Sequence, residues 1–378
     1  MFSMGDLLKD HMFASHAIAV GSAVAVASSL THPLDTLKTL VQVGAGPKYQ
    51  LGLSQVVERV KSVSGISGLY SGLGWSTISR VAGIGARFGI YEVLSAFYKD
   101  GREDNYVYVS EALLAGIAAG AVESIACTPF ELLKLRKQVS VSRLKAATSG
   151  NVMQESTPLI SRLLPGYTPD MKAWSNTVGL LSTLSPKSPN MVGKLEQYPW
   201  MLTGSGRPPL ASDVKRPSSV ISLEGWSALW RGLRPGVARD CVFGGVFFST
   251  WQFIHIAMLN WKAIDINPPP RSIEEVGPVS PLASSLTAGF SGTVAAAASH
   301  SFDTAKSRSQ CIVIPKYITM ERKLLRWKPP GIWLERVTGM SPADRNLMFR
   351  GIWLRMARSG IASFALVGCY FFTVDHLL

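Results

Sequence analysis

The sequence predicts an all-α membrane protein with six transmembrane helices arranged as three two-helix repeats. The first sign is a charged stretch that occurs three times: PLDTLKTLVQ from Pro33, PFELLKLRKQ from Pro129 and SFDTAKSRSQ from Ser301. Each copy places an acid two residues on (Asp35, Glu131, Asp303) and a lysine five on (Lys38, Lys134, Lys306). A glutamine follows nine residues on in each (Gln42, Gln138, Gln310). Such recurrence means repeated supersecondary units. In addition, each copy ends an apolar run long enough to cross about 30 Å of hydrocarbon. Small residues also recur four apart in the odd-numbered runs: Gly21 with Ala25, Gly116 with Gly120, and Gly289 with Thr293. That spacing lets membrane helices approach closely.

The N-terminal MFSMGDLLKDHMF has neither the Arg- and Ser-rich character of a transit peptide nor a long secretory core, so a short tail into the first helix is expected. The first span covers about residues 12–30 and runs on into its charged stretch. VVERVKSVSGISGLYSG then predicts a short amphipathic helix on the membrane surface. The second span is expected at about 73–98, the third at 108–139 and the fourth at 233–261. NPPP from Asn267 closes the fourth, since proline cannot continue a helix. The fifth is expected at about 282–311 and the sixth from Ile352 onward. Six spans put both termini on one side. Pro33 and Pro129 predict kinks in their helices, and Ser301 replaces the third proline. A serine bends a helix weakly by bonding back to a carbonyl, so a straighter or looser fifth span is expected.

The repeats are assigned to residues 1–100, 101–262 and 263–378, with an insertion at about 140–222 in the second. This insertion is rich in Ser and Pro with scattered basic charge, and predicts a largely disordered loop. It is either a docking segment or a tolerated surface insertion.

Hydrophobic residues make up 47% of the chain, and its formal net charge is +13. The basic residues flank apolar segments, which fits an anionic lipid surface rather than nucleic acid. The four cysteines stand apart, and the six histidines show no ligand spacing. No metal or other cofactor is therefore expected. His32 and His300 precede the charged stretch in two copies and are read as structural. With no nucleophile–base pair and no phosphate-binding glycine loop, no enzyme is indicated.

A second element follows each charged stretch: YSG at Tyr70–Gly72, WRG at Trp230–Gly232 within EGWSALWRG, and FRG at Phe349–Gly351. Together the two elements resemble the signature of the mitochondrial carrier family: proline, any residue, acid, two residues, base, and later aromatic-base-glycine. The resemblance covers nearly the whole chain apart from the insertion, with Ser71 and Ser301 as departures. It implies a central cavity among the six helices, with short surface helices on the matrix side. Where the motif ends converge, an acid of one helix can meet the lysine of the next: Asp35 with Lys134, Glu131 with Lys306, and Asp303 with Lys38. In the family such a ring closes the matrix side and the glutamines brace it. The resemblance further implies a monomer in the mitochondrial inner membrane with both termini in the intermembrane space. It also implies contact of an anionic lipid such as cardiolipin at Gly72, Gly232 and Gly351.

Substrate-contacting positions of the family fall seven and eight residues past these glycines, at Ser79-Arg80, Arg239-Asp240 and Arg358-Ser359. An arginine near mid-membrane costs about 2.5–3.5 kcal/mol on insertion scales and is usually functional. Its planar fork suits a carboxylate or phosphate. Arginine followed by an acid resembles members that carry amino acids or related zwitterions, with Arg239 on the carboxylate and Asp240 on the ammonium. The other reading is that these two neutralise each other. Glu123 lies eight residues before Glu131, about 80° away by helical period, facing either a neighbouring helix or the cavity. The cytosolic ionic gate of the family looks degraded: its positions hold Glu92, Gln252 and Phe371, and Ser95 replaces a base. The expectation is a small-molecule solute transporter working by alternating access. The alternative is a carrier-fold scaffold or adaptor that acts through its long basic loop.

Overall fold

The computed structural model describes residues 12–43, 52–100, 107–141, 211, 214–264, 266, 273–313 and 348–377. Regular structure among these residues is helical throughout. The chain forms α1 (Met12–Val43), a surface helix α2 (Leu53–Ser64), α3 (Leu73–Lys99) and α4 (Val109–Val141). A second surface helix α5 (Pro217–Glu224) precedes α6 (Leu233–Ile264). The fifth span is split into α7 (Pro281–Ala298) and α8 (His300–Gln310), and α9 (Ile352–Leu377) is the sixth. Three of these segments, Val109–Val141, Trp226–Ile264 and Ile352–His376, are long and apolar enough by composition alone to cross a membrane.

The long helices pack in chain order: α1 on α3, α3 on α4, α4 on α6, α6 on α7, α7 on α9, and α9 back on α1. The sequence of contacts closes on itself, giving a helical ring with an axis down its middle. The odd-numbered spans also touch one another at their charged ends, through α1, α4 and α8. Glycine makes the tightest side of the ring possible. A Cβ at Gly120 would lie 2.0 Å from the Asp240 carbonyl oxygen, and one at Gly116 would lie 2.4 Å from that of Gly244. Backbones this close replace side-chain contact with direct helix-to-helix van der Waals packing.

The even helices begin alike. Gly72, Gly232 and Gly351 take φ of +89°, +82° and +79°, a left-handed turn that an L side chain resists. Each glycine packs on the odd helix of the following repeat: Gly72 on Lys134 and Gln138, Gly232 on Ser309 and Gln310, Gly351 on Lys38 and Gln42. This cyclic hand-over carries threefold order through the molecule. His32 and His300 serve it too, each donating from Nε2 to a carbonyl just before the glycine, Ser71 at 3.1 Å and Arg350 at 3.2 Å.

Two features left open by the sequence take a definite form. The fifth span is not straighter for lacking proline: it is the one that breaks, whereas α1 and α4 run unbroken through Pro33 and Pro129. The interruption is at Ser299, two residues before Ser301. Ser299 Oγ donates back to the Ala295 carbonyl at 2.8 Å, and Arg355 of α9 donates to the Ser299 carbonyl and Oγ at 2.9 and 2.6 Å. The Ser299 carbonyl also accepts from the Asp303 backbone N–H at 3.3 Å, so the guanidinium adds donors at the break.

The C-terminal end of the insertion carries a short helix. Pro217 stands in the first turn of α5, where its fixed φ is pre-organised for a helix. Val220 and Leu223 are buried. Arg136 holds the buried Glu224 at 2.5 Å and donates to the Val214 carbonyl at 3.3 Å. Residues 142–210, the N-terminal tail, NPPP and residues 314–347, where the third repeat's surface helix is expected, fall outside the described residues.

Candidate functional site

At the charged ends of α1, α4 and α8 six side chains interlock. Lys134 lies 2.5 Å from Asp35 Oδ2, Lys38 lies 2.8 Å from Asp303 Oδ2, and Lys306 pairs with Glu131. These are the three partnerships inferred from the spacing of acid and base. Acid and lysine three apart share one face of a helix, so three such faces turned to a common axis can pair only with their neighbours.

The glutamines do not act alike. Gln138 donates from Nε2 to Asp35 Oδ2 at 3.2 Å and to Thr36 Oγ1 at 3.1 Å. Gln42 does the same to Asp303 and Thr304, at 3.2 Å each. Thr36 and Thr304 in turn donate to the Leu69 and Met348 carbonyls. The position equivalent to these threonines in the second repeat is Leu132, which offers no acceptor. Gln310 Nε2 is buried and has no hydrogen-bond partner. Two joints of the ring are braced and the third is not.

Above the ring opens a cavity of about 180 Å³. All six positions inferred as substrate contacts line it: Ser79, Arg80, Arg239, Asp240, Arg358 and Ser359. Its arginines reach down onto the ring. Arg239 donates to Glu131 Oε1 at 2.9 Å and Oε2 at 3.2 Å, and its Nη1 lies 3.4 Å from Asp303 Oδ1. Arg358 Nε lies 3.0 Å from Asp35 Oδ1. Arg239 also grips its neighbour Asp240 by both oxygens, at 2.7 and 3.0 Å. In this conformation the two neutralise each other, the second of the readings open at sequence level. Arg80 differs from the others. It donates to Thr31 Oγ1 at 3.3 Å and has no carboxylate within ion-pair range among the described residues.

Besides the ring acids Glu131 and Asp303, three charged residues outside those six positions line the cavity: Arg87, Glu123 and Arg355. Arg355, one turn before Arg358, lies 3.5 Å from Asp303 while it holds the break at Ser299. Glu123 both faces the cavity and contacts the neighbouring helix α3, where it pairs with Arg87. The Arg355–Arg358 spacing of three was the one sequence signal that pointed to a second arginine on the same face of α9.

The far end carries no comparable ionic layer among the described residues. Glu92 is exposed and makes no ion pair there, Ser95 is buried, and Gln252 donates to the Val107 carbonyl at 2.8 Å. At this level Tyr91 stacks on Phe248 with ring centroids 3.7 Å apart, and Phe371 lies edge-on to its chain neighbour Tyr370.

Comparison with known proteins gives the following. A family model described as mitochondrial carrier protein matches residues 9–102 and 106–162. The chain is 30% identical over 135 residues to the dicarboxylate carrier UCP2 of Danio rerio, covering 33% of this chain and 43% of that protein. It is 32% identical over 126 residues to mitochondrial citrate transporter D of Aspergillus niger, covering 32% and 41% of the two. It is 29% identical over 175 residues to mitochondrial thiamine pyrophosphate carrier 1 of Candida albicans, covering 44% and 58%. The matched stretches thus span less than two thirds of each relative's length.

Proposed function

We propose that the chain is a member of the mitochondrial carrier family, whose model matches residues 9–102 and 106–162, and that it is a multi-pass solute transporter of the mitochondrial inner membrane, working by alternating access. Its cargo bears a carboxylate, as an amino acid or related zwitterion. The observation that carries this reading is the reach of Arg239 and Arg358 from the cavity onto Glu131, Asp303 and Asp35. Site and gate form one electrostatic unit. An incoming carboxylate competes with the ring's own acids for the same guanidinium groups. A poorly solvated ion pair gains little net stability, because desolvation offsets most of the attraction. Rearranging a few charge-assisted hydrogen bonds is then enough to open the ring.

In this account Ser79, Arg80, Arg239, Asp240, Arg358 and Ser359 contact the cargo. Asp35, Lys38, Glu131, Lys134, Asp303 and Lys306 form the matrix gate, braced by Gln42 and Gln138. Gly72, Gly232 and Gly351 offer backbone N–H groups at helix N-termini to an anionic lipid phosphate such as that of cardiolipin. The repeats end near residues 100 and 262, the protein works as a monomer, and both termini lie in the intermembrane space. The relatives' names cover dicarboxylate, citrate and thiamine pyrophosphate. All three cargoes are anionic, which supports a cationic site without choosing the solute.

The test is reconstitution in liposomes with labelled amino acids, keto acids and nucleotides. Exchange of a zwitterion, lost on Arg239→Ala, is the expected result. Uptake of nucleotides alone would refute the substrate class while sparing the transporter.

A further inference from the structure

A second ion pair faces the cavity, and its placement says how an amino acid's head group is held. Arg87 of α3 donates from Nε to Glu123 Oε2 of α4 at 2.5 Å, and a second guanidinium nitrogen contacts the same oxygen. The guanidinium lies over the Phe243 ring of α6, 4.7 Å from its centroid, a cation–π contact. Both contacts from Arg87 fall on Oε2. Glu123 Oε1 lies against Gly83, where an added Cβ would come within 3.2 Å of it. The missing side chain at Gly83 leaves that oxygen room.

We propose that Glu123 is the ammonium acceptor of the cavity and that Arg87, freed from it by the cargo, takes the adjacent carboxylate. The cargo is an amino acid whose side chain ends in a second anionic group. This rests on the transporter reading above and deepens it.

Each other acid of the cavity is already committed. Asp240 has both oxygens held by Arg239, Glu131 is shared by Arg239 and Lys306, and Asp303 by Lys38, Arg239 and Arg355. Glu123 also lines the cavity, and alone among them it has an oxygen, Oε1, with no ion pair or hydrogen bond among the described residues. Its single partner is itself a cavity residue anchored independently on Phe243, so Arg87 can release the carboxylate without losing its seat. An α-amino acid presents its ammonium and carboxylate side by side, and Glu123 with Arg87 presents their complements side by side. Both charges of the head group are then met while the wall stays neutral. Seven residues below Arg87 on the same face of α3 stands Arg80, about 10 Å along the axis, with no carboxylate partner. An anionic side-chain end reaching toward the ring meets this unspent charge.

The experiment compares two solutes with one carbon skeleton, L-glutamate and 2-oxoglutarate, in proteoliposomes holding wild type, Glu123→Gln, Arg87→Gln or the double variant. Hydrogen bonds to charged groups contribute enough for a change of about tenfold or more. Wild type is expected to prefer L-glutamate. Glu123→Gln should lower its uptake about tenfold and leave 2-oxoglutarate within about twofold, collapsing the preference. The double variant removes both charges together and leaves no unpaired ion, so its thermal unfolding in detergent should stay near that of wild type while the preference is equally lost. If both solutes fall in parallel in every variant, or neither changes, the pair only ties α3 to α4 and the inference is wrong. A wild type that exchanges other carboxylates but neither of these two overturns the inference alone. A wild type that exchanges no solute overturns the transporter reading with it.

Discussion

Two joints of the same ring, each an acid met by the lysine of the next repeat, are held in different ways. At the first, Asp35 is 2% exposed and receives Lys134, the brace Gln138 and the cavity's Arg358. At the second, Glu131 is 21% exposed and receives Lys306 and Arg239, with no contact from Gln310. The cause is local: Thr36 gives Gln138 a second acceptor, and Leu132 gives Gln310 none. One joint is sealed from below and the other is held mainly from the cavity side. In the proposed transporter the second is where cargo acts, because the group that holds it is also a group the cargo binds.

That contrast can be broken most forcefully at the sealed joint. Asp35→Asn leaves Lys134 and Arg358 buried without their counter-charge, and should cost about 3–5 kcal/mol of stability. Glu131→Gln, more exposed, should cost clearly less, on the order of 1–3 kcal/mol. Unfolding midpoints in detergent read both, and equal losses would mean the two joints do not differ. Next in size is Arg355→Gln. It withdraws the donors from the break at Ser299 and should cost about 1–3 kcal/mol, whereas an unchanged midpoint would show that the break holds itself.

The contrast can also be removed by design. Leu132→Thr supplies the acceptor that Gln310 lacks and should slow exchange in liposomes, while the loss of a fully buried leucine offsets any gain in the unfolding midpoint. A faster variant would reverse the assignment of the weak joint. The smallest effect is expected from the glutamines themselves. Gln42→Ala should lose about 1 kcal/mol, and Gln310→Ala should stay within about 0.5 kcal/mol of wild type, as for a side chain without a partner.

The ring was legible in the sequence because its grammar is short-range. Asp35 and Lys38, with their two counterparts, sit three apart, and three copies force them to a common axis. The cavity positions followed from the family resemblance, which places contacts seven and eight residues past Gly72, Gly232 and Gly351. What could not be read was anything that depends on the reach of a long side chain between helices. Nothing in the spacing says that Arg239 bridges Glu131 and Asp303, or that Arg87 crosses to Glu123. The break at Ser299 was hidden for a related reason. Its cause is an arginine 56 positions away, while proline, the local signal for a kink, is present in the two helices that do not break. The asymmetry of the braces was in plain view at Leu132. It acquired meaning only once Gln138 and Gln42 were seen to use the threonines at that place.

The most direct test of the account is a double-mutant cycle on Arg239 and Glu131, the cavity arginine and the gate acid it holds. Unfolding free energies in detergent would be measured for wild type, Arg239→Gln, Glu131→Gln and the pair. The account predicts coupling of about 1–3 kcal/mol between the two, the double variant being little worse than the poorer single one. Losses that add to within about 0.5 kcal/mol would mean the arginine and the acid act independently, and that the cavity has no hold on the gate.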